Sequence, residues 1–89
     1  MTIFDVSSRN LKELPKVPLG TTVINCSYNQ IEEIPDGSVP NTVYCICCEF
    51  NQLKKLPQLP KSVKEIYIYG NNIQYLPTST GLSIYMTKY

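Results

Sequence analysis

One phrase is written four times along the chain, with mainly its two middle letters changing. It reads Leu11-Lys12-Glu13-Leu14-Pro15, Ile31-Glu32-Glu33-Ile34-Pro35, Leu53-Lys54-Lys55-Leu56-Pro57 and Ile73-Gln74-Tyr75-Leu76-Pro77. Each phrase ends a longer frame. Val63, Ile66, Ile68, Asn71, Ile73 and Leu76 set the pattern, which the preceding copy repeats as Val43, Ile46, Cys48, Asn51, Leu53 and Leu56. Before it come Thr21, Ile24, Cys26, Asn29, Ile31 and Ile34, and a degenerate first copy of Met1, Phe4, Val6, Arg9, Leu11 and Leu14. Successive copies are offset by 20, 22 and 20 residues, and the two extra residues fall at Asp36-Gly37, a turn dipeptide where insertion costs little. A unit this short cannot bury its own apolar face, so the copies must stack into a continuous core.

The spacing within a copy predicts its shape. Ile66 and Ile68 are two apart, which puts both on the inward face of a short strand and turns Glu65, Tyr67 and Tyr69 outward. Strands of successive coils then lie parallel, about 4.8 Å apart. The connectors LPKVPLGT, IPDGSVPNT and LPQLPKSV carry two prolines each, which rules out ordinary helix and favours extended, polyproline II-like backbone. Val17, Val39 and Leu59 precede the second prolines and should close the core from the connector side. Asn29, Asn51 and Asn71 follow the strands where the chain turns, and a buried turn needs a side chain that both donates and accepts. They are expected to form a stacked ladder, with Arg9 in the same position at the open end. The middle letters of each phrase should face water, with Lys12 beside Glu32 and Glu33 beside Lys55 as exposed pairs.

The pattern L-x-x-L-x-L-x-x-N-x-L, met three times in phase and once in degenerate form, resembles the leucine-rich repeat over nearly the whole chain. With the LP-x-LP connectors it is similar to the short repeat of bacterial effector proteins of the YopM and IpaH type, and to small leucine-rich-repeat proteins of large DNA viruses. The chain departs from those effectors in having neither their helical N-terminal cap nor their ubiquitin-ligase domain, so ligase activity is not carried over. The resemblance implies a mainly β fold. It would be one right-handed solenoid domain over 1–89 of about four coils (near 1–20, 21–42, 43–62 and 63–82, with a partial strand at 83–89). A parallel sheet would line its concave side and extended segments its convex side.

The resemblance also implies protein binding through the concave sheet. The outward residues run Ile3, Asp5, Ser7, then Val23, Asn25, Ser27, then Cys45, Cys47, Glu49, then Glu65, Tyr67, Tyr69, with Tyr85, Thr87 and Tyr89 as a continuation. The first half is small and polar and the second aromatic. Tyrosine suits interfaces as well as strands, so Glu49, Glu65, Tyr67, Tyr69 and Tyr85 form the expected contact patch. The alternative is self-association. The repeat starts at Met1, and GLSIYMTKY begins a fifth strand, so Met1, Phe4, Ile84 and Met86 are expected at uncapped ends that could stack into oligomers or filaments. By spacing from Pro77, Met86 is the residue that matches the inward Ile66.

Other classes find little support. There is no histidine, no glycine-rich phosphate loop and no nucleophile with a base, which argues against an enzyme and suggests no cofactor. The four cysteines, Cys26, Cys45, Cys47 and Cys48, lack the paired spacing of a zinc site, so no metal is expected. Cys26 and Cys48 should be reduced, buried and apolar in behaviour, whereas Cys45 and Cys47 should face outward and be open to oxidation. A net charge of +1 gives no electrostatic case for nucleic acid or a membrane surface, and no apolar run is long enough to span a bilayer. MTIFDVSSRNLKELP lacks the marks of a signal peptide, so a non-secreted protein is expected, cytoplasmic in a host cell if viral or effector-like.

Overall fold

The computed structural model describes residues 2–76 and 81–86. Met1, Pro77, Thr87 and Tyr89, named above, lie outside the described residues. Five three-residue strands, β1 (Ile3–Asp5), β2 (Val23–Asn25), β3 (Cys45–Cys47), β4 (Glu65–Tyr67) and β5 (Ser83–Tyr85), form one parallel sheet in chain order. The chain is therefore a β-solenoid of about four turns, with no helix among the described residues.

The strand register follows the repeat. Phe4, Ile24, Ile46, Ile66 and Ile84 lie side by side across the sheet. Each strand interior shows the same alternation, its central residue turned into the core and its flanking residues outward. Ile24, Ile46 and Ile66 are essentially inaccessible, as are Ile31 and Leu53 from the repeated phrase. Complete burial of such side chains contributes about 1.5–3 kcal/mol each, and stacking coils repeats that gain once per turn. Val17 and Val39 are buried and Leu59 is half-buried against the core, so the residues before the second prolines do close it from the connector side.

The second proline of each connector has a defined task. The N–H groups of Thr21, Val43 and Val63 donate to the carbonyls of Pro18, Pro40 and Pro60, at 3.3, 3.1 and 3.1 Å. Each proline thus starts a four-residue turn that delivers the chain to its next strand, and its missing N–H is not needed there. The two-residue insertion at Asp36-Gly37 forms a turn of its own, closed by Ser38 N–H and Oγ–H on the Pro35 carbonyl. Gly37 has φ +82°, a left-handed value suited to glycine.

The asparagine ladder is present and joins coils as well as closing turns. Asn51 Nδ2 donates to Cys48 O and Glu49 O in its own coil and to Cys26 O in the coil before, while its Oδ1 accepts from Ile31 N. Asn29 and Asn71 repeat the arrangement, accepting from Leu11 N and Leu53 N and donating back to Val6 O and Cys48 O. Arg9, at the equivalent place in the first coil, is exposed, and its backbone N–H donates to Asn29 Oδ1. The middle letters of the repeated phrases are exposed as expected.

The last coil corrects one expectation. Ile84, not Met86, pairs with Ile66, so the final offset is 18 residues rather than 20. The backbone sets this register: Ser83 N donates to Lys64 O, and Ile68 N to Tyr85 O, both at 2.8 Å. Met86 falls beyond the strand and is 50% exposed. Phe4 and Ile84, expected at bare ends, are half-buried and packed against the core.

Candidate functional site

The outward face of the sheet is built in rows by the same register. One row runs Ile3, Val23, Cys45, Glu65, Ser83, and the next Asp5, Asn25, Cys47, Tyr67, Tyr85. One step beyond the strands lie Ser7, Ser27, Glu49 and Tyr69, related by the repeat offsets. All five residues of the expected contact patch lie on this face, toward the β3–β5 side.

Small polar side chains lock the β1–β2 side. Asp5 Oδ1 accepts from Ser7 N–H at 3.0 Å and from Ser7 Oγ–H at 2.7 Å, which holds the Asp5 carboxyl below its ordinary pKa. Asn25 Oδ1 makes the same pair of bonds with Ser27, at 3.2 and 2.7 Å. This device was legible as Asp-x-Ser and Asn-x-Ser at matching positions of two copies, and sequence reasoning passed over it. In the third copy Cys47 and Glu49 take the two places, and the lock is lost. Glu49 Oε1 is left buried and without a hydrogen-bond partner among the described residues.

Aromatic rings occupy the β4–β5 side. Tyr67 and Tyr85 stack with centroids 4.5 Å apart and planes inclined by 12°. Tyr67 donates its phenol proton to Glu65 Oε2 at 3.1 Å. That bond, with burial and the Glu65 charge adding to it, pushes the phenol up to about 12. Tyr69 meets Phe50 edge to face at 5.2 Å, and Phe50 stacks on Tyr28 at 4.8 Å. Tyr28 and Phe50 extend the expected patch along the turn edge of the sheet. Both are well exposed, at 57% and 40%.

The backbone explains how these two rings are displayed. Ser8, Tyr28, Phe50 and Gly70 occupy one position of the repeat, directly before the ladder residue, and all have positive φ. Values of 57° at Tyr28 and 55° at Phe50 are uncommon for bulky residues. The ring of Phe50 lies over Gly70, where a Cβ would come within 2.5 Å of it. The signal in the sequence was Gly70 itself, since glycine in one copy of a frame marks a position that needs left-handed backbone.

The cysteines divide as their strand positions require. Cys26 and Cys48 are buried, Cys45 and Cys47 half-buried, and all four are free thiols. Burial first, with the Glu49 charge among the secondary causes, pushes Cys26 and Cys47 up to about 12, raises Cys48 well above 9.0, and raises Cys45. Outward-facing Cys45 and Cys47 are therefore poor thiolate nucleophiles at neutral pH. No group of three or more metal-ligating side chains converges among the described residues.

No family model matches the chain, and no curated protein matches it.

Proposed function

We propose that this chain is a protein-interaction module of the leucine-rich-repeat class, binding a partner protein through the outward face of its sheet. One observation carries the reading. Two groups of packed rings, Tyr28–Phe50–Tyr69 along the turn edge and Tyr67–Tyr85 on the strands, stand together toward the β3–β5 side of the sheet. Rings that are pre-ordered and partly exposed lose little conformational freedom on binding and bury much area, which is what an interface centre needs. The coil turn needs left-handed backbone at this position, as Ser8 and Gly70 show, and placing bulky rings there where glycine would sit without strain costs stability. In this reading the solenoid is right-handed with the sheet on its concave side. Its setting is a reducing compartment such as a host cytoplasm, in keeping with four free thiols and with the effector and viral repeats it resembles.

The test is a quantitative pull-down from cell extract with wild type, Tyr85→Ala, and a Glu32→Gln/Glu33→Gln control on the exposed phrase of the second coil. The expected result is a set of partners lost with Tyr85→Ala and kept with the control. Partners that depend on the phrase residues and ignore Tyr85 would refute the assignment of the face.

Self-association is the second reading. Among the described residues β1 and β5 each pair on one side only, and Leu76 and Met86 in the C-terminal part are 44% and 50% exposed. An unpaired edge flanked by apolar side chains is a template for a second copy. Met86→Lys is expected to abolish any oligomer formed this way, and an oligomer that persists counts against it.

A further inference from the structure

The chemistry of the partner can be read from the outward face, given that this face is an interaction surface. Its described rows hold three carboxylates, Asp5, Glu49 and Glu65, and no lysine or arginine. The chain as a whole has 8 basic and 7 acidic residues, so the face is acidic by placement and not by composition. Such a surface repels phosphate backbones and attracts cations.

The three carboxylates are not equivalent. Asp5 is held by Ser7, and Glu65 accepts from the Tyr67 phenol. Glu49 alone has an oxygen buried without a donor. A carboxylate oxygen in that condition gains by turning toward any cationic donor that reaches it. Rings flank it. Tyr69 occupies the matching position in the next coil, edge-on to Phe50, and the Tyr67–Tyr85 stack stands one row away. A carboxylate beside partly exposed rings fits a guanidinium better than an ammonium, because the planar group can stack on a ring and form two parallel hydrogen bonds at once.

We propose that the outward face docks an arginine-bearing segment of a partner protein, its guanidinium stacked on the aromatic band and paired with Glu49. Glu65 adds longer-range attraction, Asp5 being partly offset by the Arg9 charge, and the phenylalanine–tyrosine edge covers the aliphatic part of the segment.

The test is selection of random dodecapeptides on the immobilised protein. Synthesis of the winners follows, with affinity measured by fluorescence anisotropy on wild type, Glu49→Gln and Tyr85→Ala. The expected winners carry arginine. They should lose five-fold or more in affinity when that arginine becomes lysine, and a similar factor on Glu49→Gln. Because the arginine-to-lysine exchange is made in the peptide, it reads the contact whatever the variants do to the fold. Winners without basic residues that lose affinity on Tyr85→Ala would overturn the proposal and leave the interaction surface standing. Equal affinity for arginine and lysine peptides would overturn it as well. Winners indifferent to both Glu49→Gln and Tyr85→Ala would sink the proposal and the surface together.

Discussion

Asn51→Ala is the substitution whose cost can be worked out bond by bond. The side chain is buried in the middle of the stack and makes four hydrogen bonds, accepting from Ile31 N at 3.0 Å and donating to Cys26 O, Cys48 O and Glu49 O at 3.0–3.3 Å. All three carbonyls are shared. Cys26 O also receives Asn29 Nδ2, Cys48 O also receives Asn71 Nδ2, and Glu49 O also receives the Tyr28 N–H, so each keeps a donor after truncation. Ile31 N is different, because its residue is fully buried and Asn51 Oδ1 is the acceptor the structure provides. An orphaned buried donor costs about 1–3 kcal/mol, and the net loss of the remaining bonds adds about 1. The expected destabilisation is about 2–4 kcal/mol, a large fraction of the stability of so small a domain. Urea unfolding in reducing buffer, followed by far-ultraviolet circular dichroism, measures it directly. Gln52→Ala, exposed and next in sequence, is the control. Asn71→Ala should cost less than Asn51→Ala, because Asn71 is only half-buried and water can reach the groups it leaves. An Asn51→Ala loss no greater than that of Gln52→Ala would refute the ladder as the device that joins the coils.

Three other outcomes follow from the same geometry. Gly70→Ala should cost more than Gly20→Ala. Both have strongly positive φ, worth about 1–2 kcal/mol for a non-glycine residue, but only at Gly70 would the new Cβ meet a ring, and equal losses would mean that the Phe50 ring is free to move. Alkaline pH should destabilise the fold. The folded state holds the Cys26 proton up to about 12 and the Cys48 proton well above 9.0, while unfolded thiols release theirs near 9.0. Stability from these two groups is therefore complete below pH 9 and lost above it, at about 1.4 kcal/mol per pH unit for each, and a urea midpoint unchanged between pH 8 and 10 would contradict this. Cys45 and Cys47 should react slowly with N-ethylmaleimide at pH 7, faster as pH rises, as read by mass spectrometry; a rate that levels off below pH 8.5 would mean their thiols are not raised.

The repeat made most of the architecture legible because every level of it agreed. Apolar residues two apart in each strand frame, two prolines in each connector and an asparagine after β2, β3 and β4 all pointed to the same coil. The last coil misled where the repeat ran out. Counting from Pro77 assumed a fixed connector length, whereas inter-strand hydrogen bonds set the register and place Ile84 beside Ile66. The site was legible in part. Alternation within the strands and one step past them located Glu49, Glu65, Tyr67, Tyr69 and Tyr85 on one face. Tyr28 and Phe50 were missed because they occupy the left-handed position directly before the ladder asparagine, where the turn and not two-residue alternation decides which way a ring points. The unpartnered oxygen of Glu49 could be found only in three dimensions, since repeat spacing places a side chain on a face but does not say which of its atoms are buried or what donors reach them.

The claim that the outward face, and not the sheet edges, is the working surface is tested most directly by sedimentation velocity in reducing buffer over a wide concentration range. A single species of about 10.1 kDa at every concentration is the predicted result. A mass that grows with concentration in wild type and reverts with Met86→Lys would contradict it and make assembly through the edges the function of the fold.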